Sequence, residues 1–208
     1  MNIQKLAGFC FVGTGAMTVA GFLLHPHNYT PEVQFMWLFG HGLISLGLVL
    51  NLIGLGWFYS LEHRHLGKLG LLGLTAIGIG LSHYIGKLYW SGLLYPFVFE
   101  AHPDFIAEVG LGPGSEPKAV VIKTVYFSGA LLFAIGFAAF GSALLKAKRF
   151  PKVPIVLLMS GAIAVGIWPL MPGLLQMLSP VVSAIYAIGL VWLGVVLIRR
   201  PQDDRQQV

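Results

Sequence analysis

The sequence predicts an all-α, polytopic integral membrane protein that forms a single bundle of six transmembrane helices. Three observations predict this class: 56% of the 208 residues are apolar, only 10% are charged, and the mean hydropathy is +0.79. Charged residues make up about a quarter of an ordinary globular chain, so long stretches of this one cannot be solvated by water. The composition therefore excludes a soluble enzyme and a disordered binder.

Six apolar segments are separated by polar or turn-forming residues, and each is long enough to cross a hydrocarbon core of about 30 Å. They cover approximately residues 6–24, 33–60, 69–94, 119–145, 153–170 and 180–198, and a long outer loop covers 95–118. Because these segments and their connections use nearly the whole chain, no soluble domain of useful size remains. Residues 1–208 are expected to form one transmembrane domain.

The basic residues indicate how this bundle is oriented, because Lys and Arg are enriched in cytoplasmic loops. Six spans place both termini on one face, and ten of the thirteen Lys and Arg residues fall on that face: Lys5, Arg64, Lys68, Lys146, Lys148, Arg149, Lys152, Arg199, Arg200 and Arg205. The predicted net charge is about +7 there and about −2 on the outer face. We therefore expect a bacterial inner-membrane protein with cytoplasmic N- and C-termini, and we assign the basicity to topology rather than to nucleic-acid binding.

Ionisable residues inside a membrane are costly, so each one is a candidate for function. No Asp or Glu falls inside a predicted span, and the sequence has no histidine boxes, no HExxH and no GxSxG motif. These absences disfavour carboxylate-bridged metal oxidases, intramembrane hydrolases and desaturases. The sequence assigns no reaction and leaves open whether the chain is an enzyme.

Two histidines, His41 and His83, are predicted to lie at one depth. Counted along helices that rise about 1.5 Å per residue, each lies about 10 Å below the outer surface. Because consecutive spans are usually antiparallel neighbours, the two imidazoles are expected to face each other. Facing imidazoles suit a haem b iron or another metal, with interhelical hydrogen bonding as the alternative. The sequence therefore predicts a metal or haem b site at His41 and His83.

Further polar residues surround this predicted pocket. His25 lies where the first span meets the outer surface and is expected to line the opening, or to contact water and headgroups in an interfacial turn. Lys87 follows His83 by one helical turn and is expected to pair with a cofactor propionate or to extend to the interface. Glu100, Asp104 and Glu108 recur every four residues, which predicts an amphipathic helix whose acidic face is solvated or docks a basic extracytoplasmic partner.

Three functional interpretations follow. The first is a redox-cofactor protein of the inner membrane that transfers electrons or serves as an accessory subunit. The second is a transporter or a module that binds lipid or a small molecule in the same outer cavity. The third is a structural subunit of a larger membrane complex that needs no cofactor.

Overall fold

The computed structural model describes residues 2–26, 29–102, 104, 120–167 and 179–201. They form six α-helices: α1 Ile3–Leu24, α2 Gln34–Tyr89, α3 Tyr95–Ala101, α4 Val120–Ala147, α5 Lys152–Ile167 and α6 Ser179–Arg199. A short 3-10 helix, Pro31–Val33, precedes α2, and a π-helix, Trp90–Leu94, joins α2 to α3. The described chain is therefore all-helical, as the sequence predicts.

The helices have the length and composition of membrane spans. Within the described ranges, four continuous helical segments are long and apolar enough to cross a bilayer: Ile3–Leu24, Pro31–Ala101, Thr124–Ala147 and Pro180–Arg199. Lys152–Ile167 is a shorter apolar helix. Large apolar side chains such as Leu23, Phe35 and Leu72 lie on the outside of the bundle and are mostly exposed, which suits a surface that contacts lipid.

Helix α2 folds back on itself at Gly67. This residue has φ 57° and ψ −157°, a conformation that is essentially restricted to glycine. The two arms, 34–66 and 68–89, then run side by side, because the Trp37 indole nitrogen near the start of the first arm donates to the Ser91 carbonyl just after the second, at 2.7 Å. The chain therefore reverses its direction at Gly67, where the sequence predicts a loop between two spans.

The helical segments pack as a closed ring around an aromatic core. In spatial order the ring consists of the first arm of α2, α1, α6, α5, α4 and the second arm of α2. Glycines allow close backbone contact at several of these crossings: a Cβ at Gly80 would lie 2.7 Å from the backbone nitrogen of Phe133, and one at Gly194 would lie 2.7 Å from the carbonyl oxygen of Gly8. Small residues at crossings are typical of helix packing in membranes.

Two predicted boundaries differ from the structure. The segment 62–68, expected as a solvated cytoplasmic loop, is helical on both sides of Gly67, and Glu62 is buried rather than solvated. The segment that begins at Tyr95, expected as an outer loop, continues as the π-helix and α3 as far as Ala101. The first difference lengthens the first arm to residue 66, and the second lengthens the helical path after the second arm to Ala101, both beyond the limits that hydropathy suggests.

Candidate functional site

Two histidines meet at the end of the bundle where α1 stops and α2 starts. The Nε2 atoms of His25 and His41 lie 3.4 Å apart, and the ring centroids are 4.4 Å apart. His25 follows the last residue of α1, whereas His41 lies two turns into α2 and is only 5% exposed. The close α1–α2 crossing at Gly40 brings them together, because a Cβ at Gly40 would lie 3.2 Å from the His25 Cα.

A backbone contact sets the protonation of the His41 ring. Its Nδ1 lies 3.0 Å from the carbonyl oxygen of Trp37, one helical turn earlier. Since a carbonyl oxygen only accepts, Nδ1 carries the proton and Nε2 presents a lone pair toward His25. Metal-ligating histidines usually donate their second ring nitrogen to a carbonyl or carboxylate in this way.

The Trp37 indole covers the histidine pair. Its centroid lies 4.7 Å from that of His25 and 4.6 Å from that of His41. It also contacts the rings of Tyr29 and Tyr95, at 5.6 Å and 6.2 Å. Trp37 therefore connects the two imidazoles to a buried cluster of aromatic side chains.

The π-helix forms the wall behind His41. Gly92 lies directly against the His41 Cβ, so any side chain at that position would displace the imidazole. The wider π-turn leaves the Ser91 carbonyl free to accept from Trp37. The Trp90 indole nitrogen is buried without a hydrogen-bond acceptor among the described residues. Single π-turns within helices occur frequently at functional sites.

A buried tyrosine joins the outer edge of the site to α3. The Tyr29 hydroxyl donates to Glu100 Oε1 at 3.0 Å, although Tyr29 is only 7% exposed. Burial, followed by the hydrogen bond to Glu100, raises the pKa of the Tyr29 phenol to about 12. Glu100 thus has a structural contact in addition to the solvated face predicted for it.

His83 does not meet His41. It packs against Gly129 of α4, where a Cβ would lie 2.5 Å from the His83 Cβ, and its Nδ1 donates to the Ile79 carbonyl at 2.8 Å. Because His41 lies beside Gly92, nine residues after His83, the two histidines differ in depth by about 13 Å. The common depth expected from the sequence is therefore wrong.

The other predicted site residues lie apart from the histidine pair. Lys87 donates to the Tyr126 hydroxyl at 2.7 Å and lies 4.2 Å from the centre of that ring. Asp104 is exposed, whereas Glu108 lies outside the described residues.

The separation of the two Nε2 atoms fits either a hydrogen bond between the imidazoles or two ligands of one metal ion. Two nitrogens that each bind a metal at about 2.0–2.1 Å, near the tetrahedral angle, are separated by about 3.3 Å. Axial ligands on opposite faces of a haem are separated by roughly 4 Å, with the porphyrin between them. No group of three His, Cys, Asp or Glu side chains forms a metal cluster in the described part of the chain. A metal ion bound by the two imidazoles would therefore have open coordination positions.

Comparison with known proteins adds no family to this description. No protein-family model, curated protein or solved structure matches the chain.

Several residues of the site are not singled out by the sequence alone. Trp37 precedes His41 by four residues and so shares its helical face, a spacing that could have identified it. Tyr29 was visible only as part of a turn-forming segment. Gly92 could not be identified, because many glycines in this chain pack helices and nothing in the pattern distinguishes the one beside a histidine.

Proposed function

We propose that the chain is an inner-membrane protein whose His25–His41 pair binds a single transition-metal ion near the outer face, in an electron-transfer or accessory role. The observation that carries the proposal is the 3.4 Å separation of the two Nε2 atoms, with His41 held in the ligating tautomer by Trp37. Burial of His41 to 5% exposure favours a neutral imidazole, the form that binds metals.

Copper is the ion that best fits a redox role here. Imidazole ligands suit zinc, copper, iron and nickel, whereas zinc has no redox chemistry. Copper in its lower oxidation state accepts few ligands, which fits a site with two imidazoles. Haem b fits this pair less well, because the two Nε2 atoms are 3.4 Å apart, closer than the roughly 4 Å that separates axial ligands on opposite faces of a haem.

The proposal includes six membrane crossings with cytoplasmic termini. The reversal at Gly67 supports the count, because it divides α2 into two arms that lie side by side. The positive-inside rule supports the orientation, since Lys146, Lys148 and Arg149 lie at the end of the bundle that also holds Lys5 and the last residue of α6. The histidine pair lies at the opposite end, which is then the outer face.

Metal analysis and absorption spectra of the detergent-purified protein test the site directly. After growth with added copper, the wild-type chain should hold about one copper per chain, and His25→Ala and His41→Ala should each lower retention by roughly tenfold or more. His83→Ala is the matched control, because it removes an equivalent imidazole from the α4 interface. A double variant, His25→Ala with His41→Ala, that retains the wild-type copper content would overturn the proposal. A Soret band that is present in the wild type and lost in His83→Ala would support the haem interpretation instead.

A second candidate, a module that binds lipid or a small apolar molecule, is supported by a groove between α1 and α6. The groove is open to the outside of the bundle and is lined almost wholly by apolar and small side chains, among them Gly15, Ala16, Ala187 and Trp192. Photolabelling with an acyl-chain probe should modify this groove, and Ala16→Trp should block the labelling, because Ala16 lines the groove and is exposed. Unchanged labelling of that variant would exclude the groove as the binding site.

A further inference from the structure

A buried carboxylate lies at the end of the bundle opposite the histidine pair. Glu62 of α2 is only 4% exposed, and both of its oxygens are in ion pairs. Arg149 Nε lies 2.8 Å from Oε2, and Arg200 Nη1 lies 2.9 Å from Oε1. We call these three residues the arginine clasp, because they join α2 to the α4–α5 turn and to the end of α6.

The arginine clasp carries a net positive charge. Two guanidinium groups face one carboxylate, which leaves one net positive charge in a partly buried position. Among the described residues, Glu62 is the sole carboxylate at this end of the bundle, since Glu32, Glu100 and Asp104 lie at the other end. The exposed neighbours Lys152 and Arg199 add further positive charge.

Each guanidinium also retains unused hydrogen-bond donors. A guanidinium carries several N–H groups in a rigid fork. Arg200 Nη1 donates to Glu62 Oε1, whereas Arg149 Nε approaches Oε2 as an ion pair without hydrogen-bond geometry. Arg200 is held in place by the ring of Phe150, 5.0 Å from its guanidinium carbon. Each arginine side chain is about one-quarter exposed, so part of each one is accessible from outside the bundle.

The arginine clasp lies at the ends of apolar helices. Arg200 follows the last residue of α6, and Arg149 lies in the turn between α4 and α5. A cavity of about 10 Å³, room for about one water molecule, lies at this point and is lined by Gln4, Leu61, Leu197 and Pro201 together with the clasp. Forked cationic donors at the ends of apolar helices match a lipid whose phosphate lies above its acyl chains, and basic pockets between helices on the cytoplasmic face bind anionic headgroups.

We propose that the arginine clasp binds the phosphate group of an anionic phospholipid. The phosphate oxygens accept hydrogen bonds from the guanidinium N–H groups that do not contact Glu62. The phosphate takes the outer side of both guanidinium groups, while Glu62 holds their inner side. The clasp would thereby couple lipid binding to the packing of α2, α6 and the α4–α5 turn.

Native mass spectrometry of the full chain in detergent tests this site. Phosphatidylglycerol should bind the wild-type protein more tightly than phosphatidylcholine with the same acyl chains. Arg149→Gln and Arg200→Gln should each weaken phosphatidylglycerol binding by about fivefold, the effect of one cationic residue near the headgroups. Arg199→Gln is the matched control, because it removes the same charge from an exposed neighbour and should have a smaller effect.

A second variant separates binding from a purely structural role. Glu62→Gln retains both guanidinium groups and removes the competing negative charge, so it should strengthen phosphatidylglycerol binding by about fivefold. A clasp that only joins helices would give unchanged or weaker binding in Glu62→Gln, and that result would overturn the proposal. Equal losses in Arg199→Gln and Arg200→Gln would also overturn it, because they indicate diffuse surface charge. Inorganic phosphate that binds as tightly as phosphatidylglycerol would exclude the lipid as the source of the phosphate.

Discussion

Gly92 of the π-helix lies against the Cβ of His41, so the position of that imidazole depends on the absence of a side chain at residue 92. A Cβ at Gly92 would also lie 2.8 Å from the His41 Cγ, closer than carbon atoms normally approach. The contact links two parts of the chain that are far apart in sequence, and it fixes the distance between His41 and His25.

Gly92→Ala should therefore displace His41 and weaken the proposed metal site. Overpacking of a filled interior costs about 1–3 kcal/mol, so we expect this loss of unfolding free energy together with reduced copper retention. Gly42→Ala is the control, because a Cβ there meets no atom within 4 Å. Thermal unfolding and metal analysis of both variants check the prediction, and normal copper content in Gly92→Ala would contradict the role given to this contact.

Tyr29 should make the stability of the outer edge fall at high pH. Its pKa is raised to about 12 by burial and by Glu100, whereas the pKa of the phenol in the unfolded chain is near its ordinary value of 10.0. A raised pKa means that the folded state keeps the proton, so this stabilisation is complete below about pH 10 and is lost as the pH rises toward 12. Unfolding temperatures measured between these pH values should fall less steeply for Tyr29→Phe than for the wild type. Identical slopes would show that Tyr29 does not titrate in this way.

The class of the protein and most helix positions follow from the sequence, because hydropathy over about 20 residues determines which segments enter a bilayer. The depth of the histidines does not follow, because His41 is counted from the outer end of its span and His83 from the cytoplasmic end across a core of about 30 Å. The structure makes both arms longer than that: the first is helical through residue 66, and the second continues through the π-helix to Ala101. Helix rotation is also not predictable here: the spans are apolar around their whole circumference, so the faces are chosen by glycine contacts such as Gly40 with His25 and Gly129 with His83.

Glu62→Ala should destabilise the bundle strongly. Removal of one partner from a buried ion pair costs about 3–5 kcal/mol, and we expect roughly 2–3 kcal/mol here because both arginines are about one-quarter exposed and stay partly solvated. Glu32→Ala is the control, since Glu32 is exposed at the other end of the bundle. Equal unfolding temperatures of the two variants would mean that the arginine clasp does not stabilise the fold.

Gly67→Ala should strain the reversal between the two arms of α2. The backbone conformation at Gly67 costs about 1–3 kcal/mol for a residue with a Cβ, although a Cβ there would have open space around it. Gly56→Ala is the control, because Gly56 lies inside the first arm with the same open space and an ordinary helical backbone. We expect a lower unfolding temperature for Gly67→Ala and an equal or higher one for Gly56→Ala. Equal stability of the two variants would contradict the reversal at Gly67.

A buried polar pair joins α2 to α6 in the middle of the bundle. The Asn51 amide nitrogen donates to the Tyr186 hydroxyl, and both side chains are almost fully buried. Tyr186→Phe leaves that amide without its acceptor, and hydrogen bonds between membrane helices contribute about 0.6 kcal/mol on average and about 1.7 kcal/mol at most. We therefore expect a loss within that range.

The double variant Asn51→Leu with Tyr186→Phe tests whether this loss comes from the pair itself. It should lose less than the sum of the two single variants, because no polar group is then left unpaired. Unfolding free energies of the four proteins form a double-mutant cycle, and strict additivity would show that Asn51 and Tyr186 do not stabilise the bundle through their contact.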